Sequence, residues 1–403
     1  MITLRRPRNE DELAGIVREA AGIVREVEGL GASLNVQGGG TRAGLGRPGN
    51  NAVTISTADL SGVTLHEPAE MVISARAGTP LRVVEETLAE KGQMLPFEPM
   101  DHRAIYGTNG EPTIGGVVAA NVSGPRRVVV GACRDHLIGV RFVNGRGEII
   151  RSGGRVMKNV TGLDLVKLQA GAHGTLGILT EVTFKVLPRP EATATMLFEG
   201  LSEADAVAAM SAALGSPFEV TGAAHLPAGM GAERARTLLR FENFPASIDY
   251  RFPALAERLQ RFGTPKRIDR AESEQIWVAI RDCRLLAAPR DTALWRISMK
   301  PSHAPGLAQA LREASSGARL FLDWGGGLLW LATPASGDAG ASAIRAALGG
   351  KGHATLVRAP DFIRAAVPVF QPEPAPVAAL SARIKASFDP AGLINPGRMH
   401  ASC

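Results

Sequence analysis

The chain of 403 residues is 45% hydrophobic and 21% charged, an ordinary composition for a soluble globular protein that argues against disorder. At roughly 100–200 residues per domain, this length predicts two domains. The net charge of +6 comes from Lys and Arg scattered through both halves, which excludes the dense basic block of a nucleic-acid groove and leaves open an anionic substrate, an acidic partner or a merely basic surface.

The cysteines are few and far apart, at Cys133, Cys283 and Cys403. They provide neither a C-x-x-C site nor the four thiolates of an iron–sulfur cluster, and they fit a reduced compartment. The first ten residues lack the apolar core of a signal peptide, and no uncharged run approaches the ~18–20 residues that cross a bilayer. We therefore expect a cytoplasmic protein without a transmembrane segment, which can lie peripherally on the inner face of the cell membrane.

The first quarter of the chain alternates predicted helices and strands. Asn9 caps a helix in which Glu12 stands three positions later, and Leu13, Val17 and Val27 belong to its apolar stripe. A second helix starts at Pro80 and ends before Gly92. Strands are predicted at residues 33–36, 52–55 and 71–75. This alternation is typical of a small α/β unit.

A glycine-rich loop, Q-G-G-G-T-R-A-G-L-G at residues 37–46, follows the first of these strands. Its consecutive N–H groups could bind a pyrophosphate, but a tight structural turn explains the three glycines equally well. No Gly-Lys-Ser/Thr follows, so the loop is not a Walker motif. The later G-x-G-x-x-G contains Pro48 and is followed by no helix, which excludes a Rossmann site.

The middle of the chain is predicted as a loop over residues 96–116 and a short helix over 117–121. Strands over 137–143 and 148–151 flank Asn144-Gly145, a hairpin signal, and a half-buried strand covers 182–186. Pro188 and Pro190 then mark a domain boundary. Beyond it we predict an α+β layer with helices at 202–214, 255–262 and 272–285 and strands at 218–224, 237–241, 293–299, 319–324, 328–332 and 354–358.

Several further motifs occur in a fixed order. They are A-G-T-P at residues 77–80, T-I-G-G at 113–116, A-N-V-S-G at 120–124, G-A-H-G-T-L-G-I-L-T-E at 171–181 and D-P-A-G-L-I-N-P-G-R at 389–398. With the glycine loop, this series resembles the flavoproteins that have an FAD-binding domain of the vanillyl-alcohol oxidase or p-cresol methylhydroxylase (PCMH) type. The resemblance covers about residues 30–190 and the last 20.

The resemblance implies an α+β fold: a PCMH-type FAD-binding domain of two α/β subdomains at residues 1–190, an inserted α+β cap at 191–365 and a C-terminal return at 366–403. It also implies where the FAD lies. The implied cofactor-binding residues are Gly38, Gly39, Gly40, Thr41 and Arg42 on the pyrophosphate, Ile114, Gly115, Gly116, Asn121 and Gly124 opposite, Gly171, His173, Gly174, Gly177 and Ile178 along the ribose and adenine, and Asn395 toward the flavin.

Two positions depart from the pattern of the relatives. Many relatives tether FAD to a His in the first glycine loop, where this chain has Gly40-Thr41, so we expect non-covalent FAD. His173 stands where several relatives have an acidic residue.

Within this family the chain is most similar to the smaller FAD-binding subunit of three-subunit bacterial glycolate oxidases. That likeness implies a complex with a larger, catalytic FAD-binding subunit and an iron–sulfur subunit, acting on glycolate or a similar 2-hydroxy acid. The H-x-G-D-G-N-x-H metal and substrate motif of the catalytic relatives is absent, and the eight histidines are isolated, so no metal site is expected. An electron-relay or structural role follows, with the catalytic residues unknown.

Two alternatives remain open on the sequence. The first is a self-sufficient FAD-dependent 2-hydroxy acid dehydrogenase that receives the substrate carboxylate on arginines and a lysine of the cap, Arg281, Arg284, Arg296 and Lys300. The second is a scaffold that has lost its cofactor. Trp324 and Trp330 either form the core of a hairpin or cover the flavin or a partner.

Overall fold

The structure is a computed structural model that describes residues 3–26, 33–49, 53–154 and 162–401. Its N-terminal region, residues 3–188, contains the first ten strands and seven helices of this described part. The strands are β1 (Thr3–Arg5), β2 (Leu34–Gln37), β3 (Val53–Ser56), β4 (Val63–Glu67), β5 (Val72–Arg76), β6 (Gln93–Met94), β7 (Leu137–Val143), β8 (Ile149–Gly153), β9 (Ile178–Lys185) and β10 (Leu187–Pro188). The helices are α1 (Glu10–Glu26), α2 (Leu81–Ala89), α3 (Arg103–Tyr106), α4 (Ile114–Ala119), α5 (Arg127–Val130), α6 (Cys133–His136) and α7 (Leu165–Gln169).

This region contains two small sheets and an antiparallel pair of short strands, β6 and β10. Strands β1, β3 and β2 form a parallel sheet in that order, and β4, β5, β9, β7 and β8 form an antiparallel one. Helix α1 begins as predicted, because Asn9 Oδ1 accepts a hydrogen bond from the Glu12 N–H at 2.8 Å while Glu12 accepts one from the Arg8 N–H. Leu13 and Val17 of this helix are buried in the core of the parallel sheet.

The large-sheet region, residues 192–358, is built on one antiparallel sheet. Its strands are β11 (Ala192–Glu199), β12 (Gly222–Leu226), β13 (Arg236–Asn243), β14 (Lys266–Ile268), β15 (Thr292–Met299), β16 (Arg319–Asp323), β17 (Leu328–Pro334) and β18 (Gly352–Arg358). Its helices are α8 (Glu203–Leu214), α9 (Pro245–Arg258), α10 (Arg270–Arg281), α11 (Ala304–Ala314) and α12 (Ala341–Leu348). The order across the sheet is β14-β11-β13-β12-β16-β17-β15-β18.

Alternation along each strand gives this sheet two apolar faces. On β17, Leu329 and Leu331 pack with helices of the large-sheet region, whereas Leu328 and Trp330 pack into the core of the N-terminal region. The core that contains Leu328 and Trp330 therefore includes residues of both regions, Phe97 and Phe321 among them. Apolar packing joins the two regions. Among the described residues, none of the helices is long and apolar enough to span a membrane.

The chain then returns to the N-terminal region through α13 (Asp361–Ala366) and α14 (Ala375–Phe388). Beyond α14, the backbone lies beside β2: the Leu34 N–H donates to Leu393 O at 2.8 Å, and the Asn395 N–H donates to Leu34 O at 2.9 Å. The Arg47 N–H donates to Arg398 O at 2.9 Å. The last ten described residues thus complete the sheet that carries the glycine loop.

The predicted elements agree with the structure at most strands and differ at several helices. Helix α9 starts ten residues before the predicted start at Leu255, because Pro245 is at its first position and Pro253 is tolerated inside it. Helix α4 starts at Ile114 and ends at Ala119, so the predicted helix over 117–121 is displaced, and α3 interrupts the predicted loop over 96–116. Strand β11 and helices α11 and α12 were not predicted. Val27 and Ala52, which belonged to predicted elements, lie outside the described residues.

Candidate functional site

The glycine loop after β2 forms the floor of an open cleft with a volume of about 290 Å³. Gly38, Gly39, Gly40, Thr41 and Arg42 all line it. In the described structure, none of the backbone N–H groups of these five residues donates to another protein group. Residues 38–42 are half-buried or, at Thr41, buried. Unpaired N–H groups in such a turn are a ready site for an anion, since they give its oxygens donors without competing side chains.

The loop keeps this shape because it packs against residues 110–113 without room for side chains. A Cβ at Gly39 would lie 1.8 Å from Glu111 O, and one at Gly38 would lie 2.2 Å from Thr113 Oγ1. At Gly40 the constraint is torsional instead, with a φ of +74° and open space around the position of the missing side chain. The three consecutive glycines are therefore required both by packing and by backbone conformation.

The opposite wall is the start of α4. Thr113 caps this helix, its Oγ1 accepting from the Gly116 N–H at 3.3 Å. Thr113, Gly116, Ala119, Ala120 and His173 line the cleft. The first four of these have small side chains.

The cleft is strongly cationic. Four guanidinium groups line it against one carboxylate: Arg42, Arg47, Arg364 and Arg398 against Asp361. Burial lowers the pKa of Arg42 to about 10, which still leaves this guanidinium protonated at neutral pH, and burial also lowers the pKa of Arg398. The excess of positive charge suits a ligand with more than one negative charge, such as a diphosphate.

Hydrogen bonds to His102 and Met100 fix the position of the Arg42 side chain. Its Nε donates to His102 Nδ1 at 3.2 Å, and its Nη2 donates to Met100 O at 3.2 Å. Burial, assisted by the charge of Arg42, lowers the pKa of His102 to about 3. Because Arg has only donors, the neutral imidazole accepts at Nδ1 and carries its proton on Nε2.

Several of the sequence-predicted residues lie behind the cleft wall and contribute packing. Ile114 is fully buried, and the Gly115 N–H donates to Ala77 O at 2.8 Å. A Cβ at Gly177 would lie 2.6 Å from the ring of Phe142, and Ile178 starts the buried strand β9. None of these four is among the residues that line the cleft in the described structure.

Hydrogen bonds of Asn395 connect the two walls of the cleft. Asn395 accepts from the Val36 N–H at 2.9 Å and donates to His173 O at 3.0 Å and to Gly174 O at 3.2 Å. The Gly171 and His173 N–H groups donate to Val118 O and Ala119 O, at 3.0 and 2.8 Å. Asn395 therefore connects β2 to the turn at residues 173–174. Asn121, which has a φ of +47°, accepts at its Oδ1 from the Arg134 N–H.

Gly124 lies away from the cleft, at the junction with the large-sheet region. Its carbonyl oxygen accepts from Trp324 Nε1 at 3.1 Å. The guanidinium groups of Arg127 and Arg296 lie over the ring of Trp324, 4.6 and 5.0 Å from its centre. Trp324 thus connects the two regions, and Trp330 is buried in their shared core.

The four basic residues considered for a substrate carboxylate have separate surroundings. Arg281 and Arg284 both pair with the buried Asp282, at 2.8 and 3.1 Å. Arg296 lies on Trp324, and Lys300 is exposed.

Comparison with known proteins identifies the family. Residues 3–153 match the model of an FAD binding domain. The chain is 36% identical over 371 residues to the glycolate oxidase subunit GlcE of Escherichia coli, an alignment that covers 91% of this chain and 93% of that protein. The chain belongs to the GlcE family of glycolate oxidase subunits.

More distant relatives align with about half of this GlcE-family chain. It is 29% identical over 191 residues to the glycolate oxidase subunit GlcD of Bacillus subtilis, and 28% identical over 191 residues to a D-2-hydroxyglutarate dehydrogenase of Xanthomonas citri. Each alignment covers 47% of this chain and 38% of the relative. The predicted FAD-binding oxidoreductase family is therefore confirmed.

The fold of the GlcE-family chain is similar to that of a solved structure of alkyldihydroxyacetonephosphate synthase. The TM-score is 0.70 at 16% identity, and the match covers 98% of this chain and 75% of that one. At this identity the likeness concerns the fold alone. Together with the FAD binding domain, it confirms the predicted α+β, PCMH-type fold class.

The sequence did not single out three basic residues of the cleft. Arg47 directly follows the glycine loop, Arg398 ends the terminal motif, and Arg364 comes from α13. Arg364 Nη1 donates to Gly46 O, and its Nη2 pairs with Asp361 at 2.6 Å. Only the spacing of Asp361 and Arg364 on one helix could have indicated this pair, and nothing in the sequence connects it to a loop more than 300 residues earlier.

Proposed function

We propose that this chain holds FAD non-covalently, with the diphosphate in the cleft over residues 38–42. The observation that carries the proposal is the run of five residues, 38–42, that line a cleft together with three further arginines and whose backbone N–H groups have no acceptor among the described residues. The residues present fit a diphosphate in donors, charge and space. Gly40 and Thr41 offer no nucleophilic imidazole for a covalent tether.

The remaining sequence-predicted residues have two proposed roles. Gly116 and His173 would contact the cofactor from the opposite wall, since both line the cleft. Ile114, Gly115, Asn121, Gly124, Gly171, Gly174, Gly177, Ile178 and Asn395 would fix the position of that wall through the packing and hydrogen bonds described above. We also propose the division into an FAD-binding domain (1–190), a cap (191–365) and a return (366–403).

We further propose that the chain works in a glycolate oxidase complex as an electron relay or a structural subunit. The likeness to GlcE along 91% of the chain supports a subunit role, and the missing H-x-G-D-G-N-x-H motif supports assigning substrate oxidation to another chain. The partners would be a larger FAD-binding subunit and an iron–sulfur subunit. Bound FAD would supply the redox chemistry, and this chain would position it and neutralise its phosphate charge.

The first experiment tests the cofactor. The purified chain is expected to show a flavin absorption spectrum, and acid precipitation is expected to release the flavin into the supernatant. Flavin that stays with the precipitate would overturn the non-covalent attachment. A colourless chain whose melting temperature does not rise with added FAD would overturn cofactor binding, because a ligand of the folded state must stabilise it.

The second experiment tests the division of labour. Glycolate is added anaerobically to the FAD-loaded chain alone, and the flavin absorbance is followed. We expect no bleaching, and bleaching only after the larger flavoprotein subunit is supplied. Rapid bleaching of the isolated chain would instead establish a self-sufficient 2-hydroxy acid dehydrogenase.

A further inference from the structure

A second polar pocket lies between the N-terminal region and the large-sheet region. This junction pocket has a volume of about 260 Å³ and is lined by Glu98 and Arg126 from the first region and by Arg240, Glu242 and Trp277 from the second. It shares no lining residue with the glycine-loop cleft in the described structure. The proposed role of the chain makes no use of it.

The back wall of the junction pocket is an ion-pair network. Arg240 donates to both oxygens of Glu98 at 2.8 Å and lies 3.1 Å from Glu242 Oε2, with its guanidinium 4.7 Å from the centre of the Trp277 ring. Glu98 also accepts from the Arg126 N–H, and Glu242 accepts from Thr221 Oγ1. The two Nη groups of Arg240 are thus paired with Glu98, whereas its Nε, although close to Glu242, makes no hydrogen bond within the described residues.

Two buried arginine nitrogens of this network lack a hydrogen-bond partner within the described residues, Arg126 Nε and Arg240 Nε. Arg240 Nε still lies in the ion pair with Glu242. Arg126 is only 8% exposed, and its Nη1 makes only long contacts, 3.3 Å to Glu242 Oε1 and 3.5 Å to Met94 Sδ. A buried donor without an acceptor destabilises the folded state, so a site that leaves donors open has reason to receive an acceptor from outside.

The charge of the pocket indicates what that acceptor is. Five guanidinium groups and three carboxylates line it, leaving an excess of two positive charges. Arg189 is at the exposed side of the pocket, and among the described residues no acceptor is found for its guanidinium. Arg126 and Arg189 together could hold one planar anion, while the fixed carboxylates of Glu98 and Glu242 would repel a dianion.

We propose that the junction pocket binds a small free monocarboxylate, with Arg126 and Arg189 as its donors. The inference goes beyond the proposed relay role and does not depend on it. Both donors precede the large-sheet region, whose Arg240, Glu242 and Trp277 line the same pocket, so a carboxylate there would lie at the junction of the two regions without touching the cofactor cleft.

The test is calorimetric titration of the full, cofactor-loaded chain with glycolate as the probe. Ethylene glycol, which lacks the carboxylate, serves as the uncharged control. We expect saturable binding of glycolate alone, weakened at least about tenfold in Arg189→Ala and in Arg126→Gln, since a charge-assisted hydrogen bond contributes that much. Arg383→Ala removes an equal charge from exposed α14 and is expected to bind like wild type.

If Arg126→Gln fails to fold, Arg189→Ala alone tests the site. The Arg189 side chain is exposed, so its removal is expected to leave the fold intact. Absence of saturable glycolate binding, or equal affinity in the wild-type and Arg189→Ala chains, would overturn the site. The flavin spectrum, recorded in the same titration, reports separately on the relay role: bleaching by glycolate would refute that role whatever the calorimetry shows.

Discussion

Gly39 shows at the scale of one residue how tightly the glycine loop is built. Because a Cβ there would lie 1.8 Å from Glu111 O, Gly39→Ala must displace the loop or residues 110–113. We expect a loss of about 1–3 kcal/mol in the free energy of unfolding and a clear fall in the FAD content of the purified chain. Thermal denaturation and flavin absorbance measure the two effects.

Gly306→Ala in α11 is the matched control for this substitution. Its new Cβ would meet no atom within 4 Å, and its backbone is already helical. Alanine there should leave the flavin content unchanged and raise stability by up to about 1 kcal/mol. If Gly39→Ala behaved like this control, the packing account of the loop would be wrong.

Asp323 gives a pH dependence at the same scale. Burial raises its pKa to about 7, opposed by the hydrogen bond from the Trp324 N–H and by the charges of Arg240 and Arg296, and the charge of Glu98 acts with burial. The folded state therefore binds a proton that the unfolded state, with a pKa near 3.8, has released. The contribution of Asp323 to stability is present below about pH 4 and declines as the pH rises to about 7.

Asp323→Asn removes this dependence. Relative to wild type, its free energy of unfolding should increase between pH 4 and pH 7 by up to about 4 kcal/mol, since one pKa unit corresponds to about 1.4 kcal/mol. Urea unfolding at several pH values measures the difference. Glu10 and Glu98, whose pKa values are lowered by their arginine partners, act in the opposite direction in both chains. A constant difference across this range would show that Asp323 is charged in the folded state.

At the scale of elements, the periodicity of the sequence predicted those helices and strands whose limits are set by neighbouring residues. The cap at Asn9 and the alternation in β13, β15 and β17 depend on neighbouring residues, and those elements were found within two residues of their predicted limits. Helix α9 starts ten residues before the prediction, because Pro245 fits its first turn and Pro253 is tolerated inside it. Strand β11 follows a Pro-rich turn and is stabilised by pairing with β13, which no local pattern reveals.

Helix α14 is fixed to the protein near its C-terminal end. Lys385 is buried and donates from Nζ to Thr175 O, Ile394 O and Asp389, which in turn accepts from the Leu393 and Ile394 N–H groups. Lys385→Met leaves the Asp389 carboxylate buried without its cation. We expect a loss of roughly 3–5 kcal/mol in the free energy of unfolding, measured by urea denaturation.

Arg383→Met, two residues earlier on the exposed side of the helix, is the control and should change stability by less than about 0.5 kcal/mol. Equal effects of the two substitutions would mean that Lys385 adds no more than a surface charge.

At the scale of the whole molecule, the shared core predicts one cooperative unfolding transition. Phe97 of the N-terminal region and Phe321 of the large-sheet region belong to the same buried cluster, and the Arg240–Glu98 pair joins the regions beside it. Neither region can unfold without exposing the apolar surface of the other.

Tryptophan fluorescence and far-ultraviolet circular dichroism test this, since the four tryptophans lie between residues 277 and 330 and the dichroism reports on both regions. We expect coincident midpoints in urea. Two separated transitions would show that the regions are independent.

Of the candidate site, the sequence predicted the parts that are built from backbone. The glycine loop and the motif at residues 113–116 were indicated by their glycines and by the family resemblance, and the loop, Thr113 and Gly116 line the cleft. The arginines that give the cleft its charge come from three distant segments, and their convergence depends on the path of the chain after the large sheet. The pairing of Arg126 with Glu242 across the junction likewise could not be inferred from either residue alone.

The hydrogen bonds between β2 and residues 393–395 have a consequence for biosynthesis. The floor of the cleft is made early in translation, but the segment that holds it in register is made about 350 residues later. The proposed FAD site is therefore complete only once Asn395 and Arg398 have been made. We expect a chain interrupted after α14 to hold FAD poorly.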